Sequence, residues 1–266
     1  MKLTMLGTGN ALVTECYNTC FLLEDNGQSL LVDGGGGNTI LRQIKYAGYD
    51  WRDIHHIFVT HKHTDHLLGI VWMVRMICQY MSRNKYLGET YIYSHKEVID
   101  LLRYIAKSLL LEKDYDFIDK KLHLVEISDG QILDIIGHNF EFFDINSEKT
   151  KQFGFVMDIV NGKRLTCCGD EPLTSRVERY ATESEWLMHE AFCLHSQADI
   201  FHPYEKRHST VKDACELAER LKVKNLILYH TEDKNIKDRK ELYKKEGTEY
   251  YNGNLYVPDD LEVIRV

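Results

Sequence analysis

Proline is scarce in this chain, with only residues 172, 203 and 258, and no low-complexity linker interrupts it. Nothing therefore marks a boundary, and 266 residues with 44% hydrophobic content are expected to form one domain spanning 1–266. No apolar run approaches the roughly 18 residues of a membrane span. The first residues, Met1 to Gly7, lack the basic-then-apolar order of an export signal. The seven cysteines are odd in number and show no C-x-x-C spacing, so no disulfide framework is expected and a reducing, cytoplasmic setting is. An excess of basic residues is also missing: the net charge is −8, which argues against broad attraction to a nucleic-acid backbone. The Lys/Arg-rich stretch from Lys234 to Lys245 is interleaved with acids and reads as a solvated helix face. The phosphate-loop pattern G-x-x-x-x-G-K-[ST] does not occur, and Gly7-Thr8-Gly9 lacks the third glycine of a dinucleotide fingerprint.

What is present alternates between β and α character. Lys2–Gly7, Thr19–Glu24, Ser29–Asp33, His55–Thr60 and Tyr91–Ser94 read as strands; Thr39–Tyr46, Leu67–Met81 and Lys96–Leu111 have helical spacing. The middle switches to β at Lys121–Ile127, Gln131–Ile136, Asn139–Asn146, Phe153–Val160 and Lys163–Cys168. Asp129-Gly130 and Asn161-Gly162 supply two-residue turn signals. Helices are expected again at Val177–Glu185, Ser209–Leu221 and Asp238–Glu246, with strands at Trp186–His189, Asn225–Tyr229 and Asn254–Val257. A four-layer α/β/β/α sandwich of two mixed sheets accommodates this order, although periodicity alone does not select it.

The chemically informative segment is Thr60-His61-Lys62-His63-Thr64-Asp65-His66, which follows the apolar Ile57-Phe58-Val59. With 13 histidines in the chain, H-x-H-x-D-H arises by chance on the order of a few times per thousand such sequences. Imidazole and carboxylate suit zinc, iron or manganese, so His61 and His63 can grip one divalent ion and Asp65 and His66 a second. Two later strand ends offer further donors, Asp170 after Leu165–Gly169 and His230 after Leu226–Tyr229. Alone, Asp170 is more simply a turn residue and His230 a surface histidine; beside the histidine run, both become candidate ligands.

These features resemble the metallo-β-lactamase-fold hydrolases, and within them the tRNase Z branch. The similarity runs nearly end to end through Gly7-Thr8-Gly9-Asn10-Ala11, Asn18-Thr19, Leu31–Gly36, the histidine run, Cys168-Gly169-Asp170, Met188-His189-Glu190-Ala191, His208-Ser209-Thr210 and Leu226–His230. The resemblance implies two divalent ions, zinc foremost with manganese or iron as alternatives. His61 and His63 would hold the first, Asp65, His66 and His230 the second, and Asp170 would bridge them. Asp65 could also orient the attacking water or take its proton. His208 would stabilise or protonate the leaving oxygen, with Glu190 orienting it; the bland alternative for His208-Ser209-Thr210 is a plain helix cap in which Ser or Thr accepts from the backbone. Asp33 would support the metal loop without being a ligand.

Two departures qualify that reading. The family carries one more metal-binding histidine where this chain has Asn146, a poorer donor, so the first ion is expected to bind weakly. His138, eight residues earlier, is expected to start the same strand and so to lie at its opposite end. The family's RNA-gripping arm also has no room, because only 23 residues separate Asn146 from Asp170. A small-molecule or nucleotide phosphodiester is therefore the leading substrate expectation, and precursor tRNA the runner-up. A metal-binding sensor or scaffold with impaired turnover is the alternative of another class. A homodimer is expected from the family only.

Overall fold

The computed structural model describes residues 1–266. They form two compact units: Met1–Gly7, Tyr17–Ser128 and Leu261–Val266 make the first, and Thr8–Cys16 with Asp129–Asp260 the second.

The first unit is a seven-stranded sheet. Its strands are β1 (Lys2–Gly7), β2 (Cys20–Asp25), β3 (Gln28–Val32), β4 (His56–Phe58), β5 (Thr90–Ser94), β6 (Leu122–Glu126) and the chain's last strand, β14 (Val263–Arg265). Their order is β14-β1-β2-β3-β4-β5-β6. β14, β1, β2 and β3 pair antiparallel, whereas β3 to β6 run parallel. Parallel strands are covered on both faces and read as continuous apolar runs, as Leu30-Leu31-Val32 and Ile57-Phe58-Val59 do. Helices α1 (Thr39–Tyr46), α2 (Thr64–Met81) and α3 (Lys96–Leu109) pack Ile40, Ile44, Ile70, Met73, Val98 and Leu102 into one core; a short turn, α4 (Glu112–Tyr115), follows.

Helix α2 begins three residues earlier than its apolar pattern suggests. His63 is the extended N-cap residue, and Asp65 lies in the first turn, where the positive end of the helix favours a carboxylate. Asp65 and His66 are therefore carried by a rigid helix rather than by a loop.

The second unit holds β7 (Ile132–Ile135), β8 (His138–Asp144), β9 (Phe153–Asp158), β10 (Arg164–Cys167), β11 (Trp186–Glu190), β12 (Asn225–Tyr229) and β13 (Asn254–Tyr256) in sequential order. β7 to β10 are an antiparallel meander, and β10 to β13 are parallel. Asn161-Gly162 makes the expected turn between β9 and β10, both residues having positive φ (66° and 70°). The β7–β8 hairpin instead turns at Ile136-Gly137 (φ 51° and 79°); Asp129-Gly130 precedes β7, with Gly130 donating to the Phe142 carbonyl. A short α5 (Ala198–Phe201), then α6 (Val211–Arg220) and α7 (Arg239–Gly247), complete the unit. Val211, Ala214, Cys215, Ala218 and Tyr243 pack with Leu187, Leu226 and Leu228 of the sheet.

The helix expected over Val177–Glu185 is reduced to one 3-10 turn, Glu178–Tyr180. Val177, Tyr180 and Ala181 are buried at helical spacing, which is what the pattern detects. The chain then turns away, because Glu183 adopts φ 57° and its N–H bonds to the Leu221 carbonyl. All seven cysteines are free, and no helix is long and apolar enough to cross a membrane.

Candidate metal centre

In both units the chemically distinctive side chains follow the carboxyl ends of parallel strands, the ends at which open α/β sheets present ligands. Asp33 follows β3, Thr60 and His61 follow β4, Asp170 follows β10, Glu190 ends β11, and His230 follows β12. Asp33 and His230 both take left-handed φ (58° each), a conformation more accessible to Asp and His than to β-branched residues.

In the first unit, hydrogen bonding decides which ring nitrogen each histidine offers. The Asp33 carboxylate accepts from the Thr60 N–H (2.8 Å), the Thr60 hydroxyl (2.7 Å) and His66 Nδ1 (2.7 Å). Thr60 has one hydroxyl proton and gives it to Asp33, so its oxygen can only accept from His61 Nδ1–H, at 2.9 Å. These bonds place a proton on Nδ1 of both His61 and His66, so that in the neutral ring Nε2 is the nitrogen that carries the lone pair. His66 Nε2 lies 3.3 Å from Asp65 Oδ2, and His61 Nε2 lies 2.9 Å from His63 Nδ1. The rings of His61 and His66 are 4.2 Å apart. His61, Asp65 and His66 are buried and His63 half-buried. The Nε2 atoms of His61 and His66, each ring held from behind by an acceptor at Nδ1, together with the Asp65 carboxylate are a donor set that fits divalent cations.

The glycines after Asp33 make this approach possible. Gly34 N–H donates to the His66 carbonyl (2.9 Å) and Gly69 N–H to the Gly35 carbonyl (2.8 Å), so the loop lies directly on the first turns of α2. A Cβ on Gly69 would stand 1.7 Å from the Gly34 oxygen.

In the second unit, Asp170 is held by its own N–H donating to Gln152 Oε1 (2.8 Å), while Tyr229 Oη donates to the Gly169 carbonyl. His230 Nε2 stands 3.5 Å from Asp170 Oδ2. Glu190, His208 and His230 offer ligand-type atoms within 4.8 Å of one another. Glu190 Oε1 accepts from the Ser209 N–H, and its Oε2 lies 3.6 Å from His208 Nδ1, an ion-pair distance rather than a hydrogen bond. His208 stacks on Phe192, with ring centroids 4.8 Å apart. Burial pulls the His208 imidazole toward neutrality, but the Glu190 carboxylate, with Asp170 adding, holds its pKa above the usual value; Lys149 opposes them. Thr210 caps α6 in a reciprocal box with Asp213, so the capping reading is correct for Thr210 and leaves His208 outside the helix.

Asn146, at the position of the expected further ligand, follows β8. It is exposed, at φ 59°, and its amide donates to the Asp144 carbonyl (3.0 Å). His138 starts β8, as expected, and its Nδ1 contacts the Asp158 carbonyl (2.9 Å).

Three contributors were not legible in the sequence. Thr60 orients His61, although only its place beside the run hints at this. Arg239 is fully buried and donates to Thr231 Oγ1 (2.6 Å), Thr8 Oγ1 (3.1 Å) and the Pro258 carbonyl (3.1 Å), fixing the residue after His230. Its position in a run of lysines made it look solvated. Glu171, buried beside Asp170, hydrogen bonds to Ser147 Oγ (2.9 Å), and nothing in its spacing marks it.

Residues 1–249 match the family described as anti-Pycsar protein Apyc1. The ribonuclease Z of Thermococcus sibiricus is 26% identical over 310 positions, covering 100% of this chain and 96% of that protein. Those positions exceed this chain's 266 residues by 44, so the relative has segments without a counterpart here. Among solved structures, the metallo-β-lactamase fold protein YhfI from Bacillus subtilis superposes with a TM-score of 0.76 at 16% identity, covering 99% of both chains. A diphosphatase from the PhnP family superposes with a TM-score of 0.75 at 17% identity, covering 99% of this chain and 96% of that one. These likenesses show the metallo-β-lactamase fold, as the sequence led us to expect, and the match over residues 1–249 shows that the chain belongs to the anti-Pycsar protein Apyc1 family.

Proposed function

We propose that this protein is a metal-dependent hydrolase that cleaves a small, nucleotide-type phosphodiester with an activated water. The observation that carries the reading is the pair of buried imidazoles, His61 and His66, fixed with Nε2 lone pairs presented by Thr60 and Asp33. The ligand assignment implied by the resemblance is kept as part of the proposal: His61 and His63 for the first ion, Asp65, His66 and His230 for the second, and Asp170 for both. Two divalent ions, zinc foremost, would supply there the positive charge that acidifies water and offsets the phosphoryl oxygens.

The chain's own residues then divide the proton work. Asp65 orients the water and accepts its proton. His208, whose pKa the Glu190 carboxylate raises, donates to the leaving oxygen. Phe192 keeps the imidazole plane in place by stacking on it.

A small substrate is favoured over tRNA because the hairpin of β9, its turn and β10 takes up residues 153–167 of the short segment between Asn146 and Asp170, leaving no space for an RNA-gripping arm. The 44 positions without a counterpart support the same choice. Processing of precursor tRNA remains the second reading, favoured by the ribonuclease Z relatives. The family's name brings an anti-Pycsar role to this chain as part of the proposal. A homodimer in the cytoplasm completes it, and light scattering checks the dimer.

The deciding experiment combines metal analysis of unsupplemented protein with turnover of bis(4-nitrophenyl) phosphate. About two ions per chain are expected, and Asp65→Ala should lower kcat by roughly 100- to 10,000-fold with the fold retained by circular dichroism. A metal-free, inactive wild type refutes both enzymatic readings. A metal-loaded protein without turnover points to a sensor or scaffold, and trimming of precursor tRNA in preference to the small diester restores the second reading.

A further inference from the structure

The loop between β8 and β9 carries a charged group that the scheme above does not use. Ser147 Oγ donates to Glu171 Oε1 (2.9 Å) and accepts from the N–H groups of Lys149 (3.1 Å) and Thr150 (3.3 Å). That ties the loop to the residue beside Asp170. On the same loop Glu148 pairs with Arg207, the residue before His208. Lys149 lies between these two anchors, so its position is fixed from the Asp170 side and from the His208 side at once.

Its ammonium stands 3.7 Å from Glu171 Oε1. This is an ion-pair distance but too long for a hydrogen bond, and an ammonium has three donors. The Lys149 side chain is 26% exposed and Glu171 only 7%, so the acid is enclosed and the cation reaches outward. Lys149 is close enough to act electrostatically on both Glu171 and His208. The surroundings are otherwise acidic: Asp170, Glu171 and Glu190 would repel an anionic diester.

We propose that Lys149 is an anion-binding residue of this centre, donating to a non-bridging phosphoryl oxygen of the substrate and of a phosphate product. The assignment rests on the hydrolase reading for its ligand. A competing explanation is that Lys149 only neutralises Glu171. The two differ when Lys149 is changed, because removing an anion-binding lysine costs phosphate a donor, whereas removing a neutraliser only leaves a buried acid uncompensated and costs stability that E171Q restores.

The test is calorimetric titration of inorganic phosphate into the metal-loaded, full-length wild type, K149M and E171Q, with metal content and melting temperature measured for each. Lys149→Met should weaken phosphate binding about tenfold or more, and Glu171→Gln should tighten it. Phosphate affinity in K149M within about twofold of wild type, with any lost stability restored by adding E171Q, overturns the assignment. Should K149M fail to fold, the double variant K149M/E171Q read against E171Q decides: phosphate bound about tenfold more weakly supports the proposal, and affinity within about twofold overturns it. Diester turnover by the wild type reports separately on the hydrolase reading. An inactive wild type that binds phosphate through Lys149 sinks that reading and keeps this one; an active wild type with phosphate affinity unchanged in K149M does the reverse.

Discussion

Asp33 coordinates nothing in the proposed scheme, yet it selects what two histidines can do. Its carboxylate can only accept, which obliges Thr60 and His66 to donate and so leaves His61 and His66 with Nε2 lone pairs. Asp33→Asn preserves size but offers an amide that donates as well as accepts. With the amide N–H groups toward His66, its Nδ1 would have to accept, moving the ring proton to Nε2 and removing a candidate metal donor. We expect zinc affinity, measured by chelator competition, to fall roughly 10- to 100-fold, with the imidazole nitrogen shifts of His66 reporting the changed tautomer. Unchanged affinity together with unchanged shifts would mean that Asp33 is only structural. The ligand candidates were readable because His and Asp at H-x-H-x-D-H spacing have few other uses. The buried Arg239 and the role of Thr60 were not, since hydrogen-bond direction and burial depend on residues far away in the chain.

At the scale of elements, α2 and the glycine loop after β3 form one device. Helix propensity alone says that Gly69→Ala should stabilise α2 by about 1 kcal/mol. Packing says the opposite, because the new methyl would meet backbone at Gly34, which cannot rotate out of the way. Overpacking of this kind costs about 1–3 kcal/mol, so a fall in melting temperature of several degrees is expected, and metal affinity should fall as His66 shifts with its helix. A higher melting temperature in G69A would show that the loop yields. The strands of both sheets, except the edge strand β14, were legible from β-branched and apolar runs bounded by turn residues; Val263–Arg265 is too short to show a pattern. The start of α2 was not, because Thr64-Asp65-His66 is polar and looks like loop. The false helix at Val177–Glu185 arose in the reverse way: buried Val177, Tyr180 and Ala181 mimic a helical face, while Glu183 is drawn into a left-handed turn by its bond to Leu221.

For the whole molecule, the threading of the chain argues that residues 1–266 are one cooperative domain, which we propose although two compact units can be drawn. The first unit needs the C-terminus: β1 pairs with β14, and Met5 exchanges backbone bonds with Leu261 (2.6 Å) and Glu262 (2.9 Å). The second needs the N-terminal segment, since Thr8 accepts from the Thr231 N–H (3.0 Å) and Asn10 donates to the Thr231 carbonyl (2.9 Å). Neither unit is a continuous stretch that could fold while the other stays open, so calorimetry should record a single transition. Ions bound only by the folded chain add stability of about 4 kcal/mol when present at a thousand times their dissociation constant. At about 2–4 °C per kcal/mol for chains somewhat smaller than this one, chelation should lower the whole transition by roughly ten degrees, and added zinc or manganese should restore it. Two resolved transitions, of which chelation moves only one, would refute the single domain while sparing the metal assignment. One transition indifferent to chelation would do the opposite, because ions held as proposed could not leave without loosening the strand ends and the first turn of α2 that carry the candidate ligands.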